Sequence, residues 1–153
     1  MDVYARLKEL GLELPEAPPA GGKYAPVQCD GNTVYISGCG PQIGQDAMVG
    51  KMGMDFTVEQ GQMAARRCAL NILAVLHRDI GDLNRIDQVL KLLVMIAGTS
   101  DFYQQPKVAD GATQLLIDLF GKRGEPARSA VGMASLPGNI PVEIEAIVRL
   151  KDT

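Results

Sequence analysis

The sequence predicts an α+β sandwich, with two helices packed on one face of a mixed or antiparallel sheet. Three observations carry this. Two apolar stripes recur at helical spacing, one from Gly61 to Ile80 and one from Val108 to Phe120. Five further segments alternate or run apolar in the manner of strands. Their order along the chain is β-β-α-β-α-β-β. At 153 residues the chain is one domain's worth, enough to bury roughly 70% of its unfolded surface.

Residues 1–22 read as an appendage and residues 23–153 as the domain proper. Val3, Leu7, Leu10 and Leu14 space out a short helix from Val3 to Leu12. Gly11 offers a stop, and Pro15, Pro18 and Pro19 prevent continuation. Ala20-Gly21-Gly22 is a flexible connector. Tyr24–Cys29 and Thr33–Ser37 then form a hairpin around Asp30-Gly31-Asn32, a turn composition. Gly38-Cys39-Gly40-Pro41 ends the second strand, and the Gly- and Met-rich stretch Gln42–Gly53 is a loop.

Thr57-Val58-Glu59-Gln60 has the capping-box pattern, Thr at the cap and Gln three residues on. The first long helix follows and stops at Gly81. Cys68 sits on its stripe and reads as a small core residue. Asp87–Gly98 is a strand with the near-continuous apolar run Val89–Ile96. Such strands are covered on both faces. One helix layer covers only one of them, so the other calls for a second copy of the chain. The second long helix runs from Pro106, a residue suited to a first turn, to Phe120. Ala127–Ser135 and Val142–Leu150 are the last strands.

Composition narrows the function. The net charge is −3, with 15 basic and 18 acidic residues and no basic run. Nucleic-acid binders carry a basic footprint, so no nucleic-acid partner is expected. The longest apolar stretch, Leu92–Ala97, is far short of the ~20 residues that span a bilayer, so no membrane partner is expected either. No leader peptide is visible at the N-terminus. Three unpaired cysteines, Cys29, Cys39 and Cys68, suit a reducing compartment, and a cytoplasmic location is expected. His77 is the single histidine and falls near a helix C-terminus, a position that suits its charge. Metal centres and His-based triads are therefore not expected.

The chemistry concentrates in the last two strands. Arg128, Ala130, Gly132 and Ala134 share one face of the first, and Val131 and Met133 the other. In the second, Val142, Ile144, Ala146 and Val148 are apolar, while Glu143, Glu145 and Arg149 point away. With the apolar faces on the helices, the opposite sheet face carries Arg128 and Glu143 beside small residues. A planar guanidinium suits a substrate carboxylate, and a carboxylate beside it holds and deprotonates a water. Equally, Arg128 and Glu143 pair with each other across neighbouring strands, or Glu145 or Arg149 is the true partner.

Pro126-Ala127-Arg128-Ser129-Ala130-Val131, then Leu136-Pro137, then Val142-Glu143-Ile144-Glu145-Ala146 resemble the C-terminal signature of the Rid family. These are the reactive intermediate deaminases, also called YjgF-type proteins or endoribonuclease L-PSP. Tyr24, Gly31-Asn32 and Ser37-Gly38 extend the resemblance upstream, which covers Tyr24 to Val148. The extra N-terminal segment and Gly-Met-rich loop resemble a longer subgroup.

The resemblance implies a chorismate-mutase-like fold, a homotrimer and active sites in clefts between subunits. It implies cofactor-free hydrolysis of enamines or imines such as 2-aminoacrylate to a keto acid and ammonia. The alternative is a non-catalytic trimeric binder of a small carboxylate metabolite. Arg128 would bind the substrate carboxylate and Glu143 would position the water. Tyr24, Gly38 and Cys39 would line the pocket. Tyr24 also reads as a packing residue at a subunit contact. Cys39 reads either as an inert half-buried residue or as an oxidisable one if Arg128 stabilises its thiolate. It stands where the deaminases commonly carry Gln, and Asp110 stands where the family often has Asn. A negative Asp110 near the pocket disfavours an anionic substrate unless it faces solvent. A ribonuclease, suggested by the family label, fits poorly with the acidic balance and single histidine.

Overall fold

The computed structural model describes residues 1–153. Its elements are α1 (Val3–Glu9), β1 (Val27–Asp30), β2 (Thr33–Cys39), α2 (Val58–Ile80), β3 (Ile86–Ala97), α3 (Gln105–Phe120), β4 (Ala127–Met133) and β5 (Val142–Leu150). The five strands form one sheet in the order β1-β2-β5-β3-β4. β3 and β4 run parallel, and every other pair is antiparallel. The predicted mixed-sheet sandwich is therefore what forms.

The local signals act as their chemistry requires. Thr57 and Gln60 close the capping box, each side chain taking the other's backbone N–H. Gly81 ends α2 with φ of 96°, a conformation that costs other residues strain. The first strand begins at Val27 rather than Tyr24. Pro26 lacks the N–H that a ladder needs, though its carbonyl still accepts from Ser37 N–H at 2.9 Å.

α2 and α3 cover one face of the sheet. Leu73 and Leu76 of α2, Leu115 of α3, Leu92 and Ile96 of β3 and Ile144 of β5 are all nearly inaccessible to water. The two helices approach closely because Gly111 is bare. A Cβ there would lie 2.1 Å from the Gln62 carbonyl oxygen. The N-terminal helix is not peripheral to this core, since Val3 and Leu7 are buried within it. Asp2 caps α1 and accepts from Asn84 Nδ2 at 3.0 Å, tying the helix to the turn before β3. Tyr4 adds an edge-on contact to His77, its hydroxyl 2.8 Å from Nδ1.

The opposite face of the sheet has no helix over it. It presents Tyr35 from β2, Lys91, Leu93 and Met95 from β3, Val131 from β4, and Glu143, Glu145 and Ile147 from β5. Leu93, Met95 and Ile147 are only half-buried, and Tyr35 and Val131 are exposed. A cavity of about 440 Å³ opens there, lined by Tyr35, Lys91, Leu93, Glu145 and Ile147. No helix is long and apolar enough to cross a membrane.

Candidate functional site

The strand registers correct one expectation. Arg128 lies beside Leu92 and Ala130 beside Val94, and both β3 partners are buried under the helices. Directly paired residues point to the same face. Arg128 therefore sits on the helix side of the sheet. Glu143 lies beside Met95 and sits on the open side. The expected shared face for Arg128 and Glu143 does not form within one chain. Val131 and Met133, expected to meet the helices, face away from them. The small residues Ala130 and Gly132 take the helix side instead, at the edge of the sheet.

The first half of the site surrounds Arg128. Its Nη1 donates to Asp110 Oδ1 at 2.7 Å and to Thr113 Oγ1 at 3.2 Å, and Nη2 donates to the Pro106 carbonyl at 3.3 Å. All three partners belong to α3. The partner of Arg128 in the isolated chain is thus Asp110, and Glu145 and Arg149 are not involved. Arg149 pairs with Asp87 at 2.6 Å. Further along the same face of β4, Gly132 leaves room for Gln105. A cavity of about 670 Å³ runs from there past Gly98 and Phe102.

The second half surrounds the end of β2. One extra residue is accommodated between Ile36 and Cys39 opposite β5, and such bulges re-aim a strand's side chains. The Glu143 side chain lies across Gly38. A Cβ on Gly38 would come within 2.9 Å of the Glu143 carboxyl carbon, so only glycine leaves the carboxyl in place. Burial, and secondarily the like charge of Glu145, raise the Glu143 pKa above the usual 4.5.

Beside this corner, the Pro18–Gly21 segment and Tyr24 enclose a cavity of about 240 Å³ against Ser37, Gly38 and Cys39. Tyr24 is half exposed, and its hydroxyl accepts from Gly21 N–H at 2.9 Å. Arg78 Nη1 reaches the Pro18 carbonyl at 3.1 Å and holds the segment down. Cys39 is buried, and burial followed by the Glu143 charge raises its thiol to about 11. The cation that opposes this rise is Arg78, not Arg128. Cys39 is therefore a protonated thiol at neutral pH. No group of three or more His, Cys, Asp or Glu residues is placed to hold a metal ion.

The resemblance groups Tyr24, Gly38, Cys39 and Glu143 with Arg128. Within one chain the first four lie around the end of β2, and Arg128 lies on the other side of the sheet. Sequence reasoning also missed several supporting groups. Thr113 and the Pro106 carbonyl hold Arg128 in a way no local pattern announces. Asn71 donates to the carbonyls of Gly40 and Gln42 at 2.9 and 2.8 Å and fixes the corner's backbone. Its signal was visible: one amide inside the apolar run Ala69–Leu76 must find partners when buried.

Residues 4–147 match the family described as "YjgF/chorismate_mutase-like, putative endoribonuclease". The chain is 39% identical over 153 residues to Protein TCP17 of Trypanosoma cruzi, covering 98% of this chain and 95% of that one. It is 33% identical to a 2-iminobutanoate/2-iminopropanoate deaminase of Dermatophagoides farinae, covering 90% and 93%. A solved structure from Agrobacterium tumefaciens, of a protein with unknown function, superposes with a TM-score of 0.91 at 42% identity, covering 97% and 92%.

Proposed function

The chain belongs to the YjgF/chorismate mutase-like family, and from that premise we propose that it is a cofactor-independent deaminase. Its substrates are enamines and imines derived from amino acids, such as 2-aminoacrylate, and its products are a keto acid and ammonia. The pocket is completed between copies of the chain, in a homotrimer. The observation that carries this reading is the division of the site. A half-buried carboxyl with a raised pKa lies over Gly38 on one side of the sheet, and an arginine lies on the other. Neither half suffices alone. Relatives named as deaminases supply the chemistry. The half-buried apolar residues Leu93, Met95 and Ile147 supply a face for another protomer to cover.

The steps demand little of the protein. 2-Aminoacrylate takes up a proton at its terminal carbon and becomes an iminium carboxylate. Arg128 of one protomer binds the carboxylate. Glu143 of its neighbour removes a proton from water as the water oxygen bonds to the iminium carbon. The proton then passes to the nitrogen. The carbinolamine loses its hydroxyl proton, forms the carbonyl and expels ammonia. A carboxylate with a pKa raised toward the working pH suits this shuttle. An iminium carbon is already electrophilic, so orientation supplies most of the acceleration.

The test is release of ammonia and keto acid from enzymatically generated 2-aminoacrylate. Wild type should accelerate release, and Arg128→Ala and Glu143→Gln should each lose about 100-fold or more. No acceleration by folded wild type would discard this substrate. Binding without turnover would then establish the second reading, a trimeric binder of small carboxylates at the same cleft.

A further inference from the structure

We infer that Asp110 sets the charge selectivity of the Arg128 site, so that it takes ligands carrying both a carboxylate and a cationic nitrogen and turns away plain monoanionic carboxylates. This rests on the proposed site and specifies its ligand class.

Arg128 does not wait in the empty site as a bare cation. Its guanidinium already meets a carboxylate at 2.7 Å, so the pair is close to neutral. The Arg128 side chain is 22% exposed and that of Asp110 is 60% exposed. Asp110 is not needed to hold Arg128 in place. Thr113 and the Pro106 carbonyl hold the same guanidinium, and ion pairs this exposed add little to stability. What Asp110 changes is the field an incoming ligand meets.

A keto acid brings one negative charge and no N–H. Facing a neutral pair, it gains little net attraction and repels Asp110. An iminium or ammonium carboxylate brings both signs. Its carboxylate takes guanidinium donors that remain, since a guanidinium has five and three contacts are made within the chain. Its cationic N–H takes the second Asp110 oxygen, Oδ2, which has no partner in the chain. In the proposed reaction, substrate and product differ by this nitrogen. The same pair that holds the substrate then releases the keto acid.

The test is the Kd of pyruvate, a keto-acid monoanion, and of alanine, a zwitterion, measured by calorimetry on wild type, Asp110→Asn and Arg128→Ala. Asp110→Asn should bind pyruvate about tenfold or more tightly than wild type and alanine several-fold more weakly. Its melting temperature should match that of wild type, and Arg128→Ala should lose both ligands. Equal pyruvate affinity in wild type and Asp110→Asn, including no binding to either, would overturn the inference. If that equality accompanies normal turnover of 2-aminoacrylate, the deaminase reading survives without it. If the tightening appears in a protein with no turnover, the selectivity stands and the catalytic reading falls.

Discussion

On β3, Leu92, Val94 and Ile96 lie under two helices and are nearly inaccessible to water, while Leu93 and Met95 on the opposite face are only half-covered. The charges divide in the same way. On the helix side Arg128 is enclosed by three partners from α3. On the open side Glu143 and Glu145 lie one pleat apart on β5, and their repulsion helps raise the Glu143 pKa. The difference teaches that one face is covered within the chain and the other is left open. A like-charged pair beside uncovered leucine, methionine and isoleucine is costly in isolation. It becomes reasonable when a second surface supplies apolar contact and a cation.

The comparison is sharpened most by truncating neighbours on β3. Leu92→Ala should cost about 2–5 kcal/mol of stability at any concentration. Leu93→Ala should cost under about 1 kcal/mol in dilute, dissociated protein and weaken assembly several-fold. Denaturant melts across a protein dilution series, with sedimentation alongside, read both effects. Equal, concentration-independent losses would erase the distinction between the faces.

A smaller effect concerns the thiols. Cys39 is buried with its pKa near 11, and Cys29 is exposed. At pH 8 Cys39 should react with iodoacetamide about 100-fold more slowly than a thiol of ordinary pKa 9.0. Peptide mapping over time should find Cys29 labelled first, Cys39 much later, and the fully buried Cys68 only after unfolding. Comparable rates for Cys29 and Cys39 would show that the Tyr24 corner is open rather than enclosed.

The smallest effect tests the open face from the stability side. The folded Glu143 pKa is raised, so the native state binds this proton more tightly than the unfolded state. The sign follows directly. Wild-type stability should fall as pH rises from about 4.5 through the raised value. Glu143→Gln lacks that loss, so in dilute, dissociated protein it should melt roughly 1–3 °C higher than wild type at pH 7. The gap should close toward pH 4. A lower melting point for Glu143→Gln at pH 7 would mean that the carboxylate stabilises the fold.

Much of this architecture was legible in the residues. The Thr57–Gln60 box, the glycine stop at Gly81 and the strand Val142–Leu150 each rest on local chemistry, and each forms where expected. The facing of β4 was not legible. Period-2 alternation says which residues share a face, but not which face the helices cover. The usual rule sends apolar residues inward. Here Val131 faces away from the helices, while Ala130 and Gly132 lie toward α3. The rule fails because the open face is itself apolar, so hydrophobicity does not separate the two. Tyr24, Gly38 and Glu143 are grouped only through the family resemblance, and the bulge between Ile36 and Cys39 that lays Glu143 across Gly38 has no signal in the residue pattern. Arg128 reaches Asp110 and Thr113 through packing between elements, which spacing along the chain does not encode.

The central claim is that the Arg128 half and the Glu143 half of the site come from different protomers. Complementation tests it most directly. Arg128→Ala and Glu143→Gln chains, each inactive alone, are unfolded together in equal amounts and refolded as a mixture. In a cyclic assembly, each boundary has a one-in-two chance of an intact arginine and a one-in-two chance of an intact glutamate. The mixture should therefore recover about a quarter of wild-type deaminase activity. Activity no higher than that of the separate variants, from a mixture shown to contain both chains in one assembly, would contradict the claim.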